Sequence, residues 1–200
     1  MYLAVNRKLS GFFAIDNTPR PEAKPVVALL KKEGVRTVLI TGDESNSAAA
    51  LSARLGLDEF HASVLPEQKE QLVTELMSQG KVLMIGDGIN DALALSKADI
   101  GIAMGAGGTE VAIEAADIAL VKDDLSDIVF VRNLSRQTLK IIQQNFWIAS
   151  GSNLAGVVLG SLGLLPPVGA GFLHIAHSLG VLLNSSRLLK FSPDEKLNEI

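Results

Sequence analysis

Two hundred residues make one ordinary domain, or one modest domain with an appendage. Hydrophobic residues at 48% and charged residues at 20% exclude a disordered chain, and a net charge of −4 with no Lys/Arg cluster excludes the basic face of a nucleic-acid binder. Cysteine is absent, which excludes a disulfide scaffold, a zinc ribbon and a thiol nucleophile, and MYLAVNRKLSG lacks the long apolar core of a signal peptide.

In chain order, Leu9–Ile15 (LSGFFAI) reads as a strand, and Pro21–Glu33 as a helix with proline near its start. Val35–Ile40 (VRTVLI) is expected as a buried strand, Ser45–Leu55 as a helix and Pro66–Ser78 as an amphipathic helix. His61 is expected in a surface loop, without a role. Val82–Ile85 (VLMI), Ile100–Ala103 and Ile118–Leu120 read as short strands, with a short helix at Asp91–Lys97. Strands alternating with helices imply an α/β fold, with a mostly parallel sheet covered on both faces. Ser126–Gln144 reads as a helix carrying the chain from this domain to a long uncharged stretch.

From Lys140 to Arg187 the chain runs 46 residues without Asp, Glu, Lys or Arg. A bilayer core of about 30 Å needs about 20 apolar helical residues, so two spans are expected, at 146–165 and 168–186. Pro166-Pro167 separates them, since proline lacks an N–H and blocks helix continuation. Arg132, Arg136 and Lys140 flank the entry, and Arg187, Lys190 and Lys196 flank the exit, which places both ends in the cytoplasm. Trp147 sits where an amphipathic ring favours the interface. The competing reading is a buried soluble hairpin rich in Gly and Ser. The expected organisation is a domain at 1–128, a connecting cytoplasmic helix at 129–145, the hairpin at 146–189 and a cytoplasmic tail at 190–200. This makes an integral protein of the cell membrane, with residues 1–145 cytoplasmic.

In open α/β sheets the chemistry lies beyond the carboxyl ends of the strands. The run VRTVLI ends in Thr41-Gly42-Asp43, and VLMI ends in Gly86-Asp87-Gly88-Ile89-Asn90-Asp91. Lys69 opens the helix between them. These loops supply a hydroxyl and backbone N–H groups for phosphate oxygens, a cation for phosphate charge, and two carboxylates suited to Mg²⁺. Glycines 86 and 88 allow a sharp turn near a phosphate. Taken alone, Thr41-Gly42-Asp43 is also a common strand-to-helix turn; the GDGIND run is far more specific.

TGD, PEQK and MIGDGINDALALSKADIGIAMGAGGTEVAIEAADIAL, in that order, closely resemble the phosphorylation domain of P-type ATPases, which has the haloacid-dehalogenase-like (Rossmann-like) fold. The hairpin after it resembles the last pair of spans in the heavy-metal-transporting subgroup. The resemblance implies Asp87 on Mg²⁺ with Asp91 beside it, and Asn90 at the phosphoryl site. It implies Thr41, Gly42 and Asp43 on the phosphate and nucleotide side, and Lys69 stabilising an aspartyl-phosphate. Gly105–Thr109 would form part of the hinge-side surface. ATP is the implied substrate, a transition-metal ion the cargo, and the lipid bilayer and an upstream part of the pump the partners.

The family's DKTGT nucleophile motif, TGE loop and Cys-Pro-Cys motif do not occur in the sequence. Covalent catalysis needs that aspartate, so the chain alone is expected to be inactive, with its sheet lacking a central strand. The economical account is part of a larger pump. Two alternatives are a non-catalytic accessory membrane protein derived from a pump, and a small membrane-anchored phosphatase using Asp16 of FFAIDNTPR. Polar groups inside a membrane are functional suspects. His174 and His177 share a helix face, Ser178 is adjacent, and Asn153 lies in the preceding span. Imidazole suits a divalent transition metal, whereas Cu⁺ prefers thiolate and thioether, which the second span lacks. The competing reading is that these histidines hydrogen-bond between helices.

Overall fold

The computed structural model describes residues 2–12, 18–87, 90–105 and 110–192. The chain divides into two compact units, Met1–Leu125 and Ser126–Ile200.

The first unit begins with an antiparallel hairpin, β1 (Tyr2–Val5) and β2 (Lys8–Phe12). Asn6 and Arg7 turn it at φ 52 and 62. The register passes from Leu3↔Gly11 to Ala4↔Leu9, so Ser10 forms a bulge. Leu9 and Phe12 are 67% and 72% exposed. Only the second strand of this hairpin was expected, as Leu9–Ile15, and residues 13–15 of that expectation lie outside the described residues.

The unit continues α1 (Ala23–Lys32), β3 (Val38–Ile40), α2 (Ser45–Leu55), β4 (Glu59–His61), α3 (Pro66–Met77), β5 (Leu83–Gly86), α4 (Ala92–Lys97), β6 (Ile100–Ala103), α5 (Glu110–Ala115) and β7 (Ile118–Ala119). β3 pairs in parallel with β4, and β5–β6–β7 form a second parallel sheet. Strand β4 corrects one expectation: His61 lies in it, opposite Ile40, not in a loop.

Among the described residues the two parallel sheets share no ladder. β3 is bonded along one edge only, and so is β5. Parallel strands are normally covered and bonded on both sides. Here only β6 reaches that condition, with Gly101, Ile102 and Ala103 buried, while Leu83 of β5 is 42% exposed. The core of this unit holds Ile102, Ala103 and Met104 with Ala94 and Leu95 of α4, Val26, Ala48 and Val73 from α1, α2 and α3, and Val64 from the segment before α3.

A repeated device sets where the parallel strands begin. Asp58, Asp99 and Asp117 each stand one residue before a strand. Each accepts a backbone N–H at the start of the neighbouring strand, from Thr37, Val82 and Gly101 respectively, at 2.8–2.9 Å. A charged acceptor satisfies a donor that the ladder leaves over. Elsewhere Arg20 reaches both carboxylate oxygens of Asp123 at 2.5 Å, tying the segment before α1 to the segment after β7.

The second unit is a helical hairpin, α6 (Ser126–Ser161) and α7 (Pro167–Ser185), closed by a 3₁₀ turn at Ser186–Lys190. Helix α6 is unbroken from the connecting stretch into the first candidate span. It stops at Ser161, before the residue 165 anticipated, because Gly163 takes φ 72 and Leu164 N–H turns back to the Leu159 carbonyl. Pro167 opens α7 at the first helical position, where a missing N–H has no consequence. No side chain of α7 is buried, and Phe172, Ile175, Leu179, Leu182 and Leu183 are all exposed. Among the described residues one helical stretch, Pro167–Lys190, is long and apolar enough to cross a membrane by length and composition.

Candidate functional site

Thr41 follows β3 directly. Its N–H donates to the His61 carbonyl and its carbonyl accepts from Val64, so the strand pair continues one residue past its ladder. Its hydroxyl accepts from the Asp43 N–H at 3.1 Å, a tight turn that leaves Gly42 and Asp43 exposed. A Cβ on Gly42 would lie 3.6 Å from the Val64 carbonyl, so ordinary space surrounds this glycine.

Val64 leads into α3. Its N-cap, Leu65, donates its N–H to the Gln68 side chain at 2.9 Å, half of a capping box, and Pro66 sits at the first helical position. Lys69 is therefore held in the first turn of a well-started helix. Its Nζ donates to Asp91 Oδ1 at 2.5 Å, with the two side chains only 12% and 14% exposed. The pair joins α3, which follows the β3–β4 sheet, to the head of α4, which belongs with β5–β6–β7.

Gly86 explains how Asp91 gets there. A Cβ on Gly86 would lie 2.7 Å from Asp91 Oδ2 and 2.9 Å from Asp91 Cβ. The carboxylate therefore lies over the last residue of β5 in space that only glycine leaves open. The Asp91 backbone carbonyl accepts the Leu95 N–H, starting α4.

Asp87 and Asn90 follow β5 and are exposed. Asp87 and Asp91 were expected on one Mg²⁺; Lys69 holds Oδ1 of Asp91, and the second oxygen, Oδ2, lies over Gly86. Mg²⁺ is satisfied by one or two carboxylates together with water and phosphate oxygens. Asp87, a hard-oxygen donor exposed at the strand end, fits that requirement. Gly88 lies outside the described residues, as do Asp16, Lys196 and positions 106–109 of the Gly105–Thr109 stretch. Gly105 itself takes φ 69 beside Asp123. Among the described residues no group of three or more His, Asp or Glu side chains is placed to hold a metal ion.

In the second unit, polar residues line the seam between α6 and α7. Asn145 donates to Ser185 Oγ at 2.9 Å and accepts from Asn184 at 2.9 Å. Arg187 donates to Asn184 at 3.1 Å. Further along, Ser152 Oγ lies 2.6 Å from His177 Nδ1. The rings of His174 and His177 stack at 6.5 Å with 14° between their planes. Of the four anticipated cargo residues only His177 enters the seam; His174, Ser178 and Asn153 are exposed. Asn145 and Ser152 were not anticipated; their signal in the sequence is a spacing of seven on one helix, matching His177 to Asn184 on the other.

Residues 2–99 match the haloacid dehalogenase-like hydrolase family. The manganese-exporting P-type ATPase of Mycobacterium leprae is 44% identical over 196 residues, covering 97% of this chain and 27% of that protein. The copper-exporting P-type ATPase of Staphylococcus aureus (strain MRSA252) is 44% identical over 191 residues, covering 95% and 24%. A solved zinc-transporting PIB-type ATPase in its E2.Pi state superposes with a TM-score of 0.84 at 39% identity, over 94% of this chain and 31% of that one. The chain belongs to the heavy-metal P-type ATPase family. It spans about a quarter of the length of the curated relatives it matches. Manganese and copper exporters are equally identical to it, so overall identity does not select a metal.

Proposed function

We propose that the chain is the C-terminal part of an ATP-driven heavy-metal pump, holding much of the phosphorylation domain and the last two membrane helices. The observation that carries this reading is the Lys69–Asp91 ion pair, packed over Gly86 at the carboxyl end of β5. Phosphoryl transfer depends on positioning and charge neutralisation. Lys69, fixed by Asp91 and shielded from water, offers a positive charge that needs no reorganisation when phosphate oxygens arrive. The Thr41 hydroxyl, which accepts from the Asp43 N–H and keeps its own proton to donate, and the turn through Gly42 would serve the phosphate oxygens. Asp87 would hold Mg²⁺, which when bound supplies charge neutralisation at the phosphate.

The aspartate that accepts the phosphoryl group would come from the upstream part, on a strand adding to the open edges of β3 and β5. The same edges are why the chain alone should not hydrolyse ATP. The charge-free part of α6, Ile141–Ser161, would span about 31 Å, and α7 returns the chain across the bilayer. The exposed apolar side chains of both helices suit lipid and neighbouring spans. The cargo we infer is a divalent transition metal, with His177 and His174 as ligands and Ser178 and Asn153 completing the polar surface.

The test begins with an immunoblot of source-cell membranes, using an antibody against the tail FSPDEKLNEI. A band several-fold larger than 21.2 kDa is expected. Immunopurified, that product should form an acid-stable, hydroxylamine-labile phosphoenzyme from ATP, at a level set by divalent metal. A sole band near 21 kDa that hydrolyses phosphate esters and loses this activity in Asp16→Asn would replace the pump reading with the phosphatase.

A further inference from the structure

The seam of the helical hairpin has one register. Seven residues along α6 from Asn145 to Ser152 match seven residues back along α7 from Asn184 to His177. Four residues beyond Ser152, Gly156 lies against Leu173, where a Cβ would be 3.5 Å from the leucine Cδ2. Ser152 and His177 therefore meet because two other rungs hold the helices in place. No Asp, Glu, Lys or Arg occurs between Lys140 and Arg187, so no carboxylate within that stretch of the two helices competes for the imidazole.

A serine hydroxyl has one proton to donate and lone pairs to accept with. Ser152 Oγ lies 3.1 Å from the Ala149 carbonyl, one helical turn back, and that carbonyl cannot donate. If the hydroxyl proton goes to that carbonyl, the 2.6 Å contact to His177 is an Nδ1–H donating to the Ser152 oxygen. A neutral imidazole carries one N–H, so its Nε2 then holds the lone pair. Which nitrogen binds a metal is set by the hydrogen bond that the other one makes.

We propose that Ser152 is a positioning residue that fixes His177 in the Nδ1–H tautomer and so presents Nε2 as the nitrogen that meets a divalent cation. This rests on the reading of His177 as a cargo ligand and adds to it the atom that binds and the group that orients it.

The test uses the full chain with isotopically labelled histidine in phosphatidylcholine bilayers, about two units above the ordinary histidine pKa of about 6.5. Solid-state NMR reads the tautomer of each ring, with His174→Gln assigning the two signals, and Zn²⁺ is then titrated in. Native His177 should be Nδ1–H, and Zn²⁺ should shift its Nε2 resonance. Ser152→Thr should preserve both results. Ser152→Ala should release the tautomer preference and weaken Zn²⁺ binding at His177 by roughly 10–100-fold. An Nε2–H ring in the native chain overturns the role given to Ser152, whatever the variants do. An Nδ1–H ring whose Nε2 ignores Zn²⁺ overturns the cation-facing assignment together with the ligand reading of His177.

Discussion

Two glycines show how closely single residues define the fit of α4 against its sheet. A methyl group on Gly86 would meet the Asp91 side chain at 2.7–2.9 Å; one on Gly101 would meet the Leu95 backbone, with its carbonyl oxygen at 2.5 Å. A side chain can rotate away, whereas the last turn of α4 cannot. Gly101→Ala should therefore destabilise the chain by about 3 kcal/mol or more, and Gly86→Ala by about 1–2 kcal/mol. Urea unfolding of the two variants compares them directly. Gly86→Ala should carry the additional loss of the Lys69–Asp91 pair. Lys69→Ala leaves a shielded carboxylate without its partner and should cost about 3 kcal/mol, while Lys69→Met with Asp91→Asn should recover most of that loss. A double-mutant cycle by the same unfolding measurement checks it.

Asp58 gives a pH-dependent prediction. The Lys31 ammonium, then the Thr37 N–H and hydroxyl, hold its carboxyl down at about 2, against an ordinary value of 3.8. A depressed pKa in the folded state stabilises above the unfolded pKa and is lost as pH falls through the folded one. The contribution of Asp58 should therefore be complete above about pH 4 and fade towards pH 2. Asp58→Asn should flatten the acid limb of a stability–pH curve in that window and leave its slope near neutrality unchanged.

At the scale of elements, the helices other than α5 and the strands β3, β5, β6 and β7 were legible because apolar runs there end at or near Gly, Asp or Pro. Strands β1 and β4 were not. Tyr2–Val5 runs into its turn at Asn6-Arg7 with no Gly or Pro to mark it, and Glu59-Phe60-His61 has one apolar residue in three; β4 exists because β3 supplies its hydrogen bonds and Asp58 its entry. The phosphate loops were legible from GDGIND. The partner of Asp91 was not, since nothing in a sequence measures the distance in space to Lys69, 22 positions earlier. Likewise, three residues on a helix keep His174 and His177 on one face, but at the edge of a narrow seam one ring enters and the other stays outside.

For the whole first unit, the unbonded edges of β3 and β5 predict an uneven molecule. Amide hydrogen exchange should be slowest in β6, where Ile102 is wholly buried, and faster in β3 and β5. Supplying the upstream part of the pump should slow exchange in β3 and β5 selectively. Uniform protection of all the parallel strands in the isolated chain would contradict the incomplete sheet. Exposed ladder edges also attract other strands, so the isolated chain should self-associate, measurable by light scattering, and the upstream part should suppress this.

The unbroken length of α6 has a mechanical meaning. Thirty-six residues without a proline make a rod of about 54 Å, and Ser152 lies about 39 Å from its first turn. A tilt of about 10° at the Ser126 end would carry Ser152 sideways by about 7 Å if the rod stayed straight. Such a stroke exceeds the reach of the hydrogen bond to His177, so α7 must swing with α6 or release the imidazole. A lever of this length turns a small rotation at its base into a choice between holding the ring and letting it go.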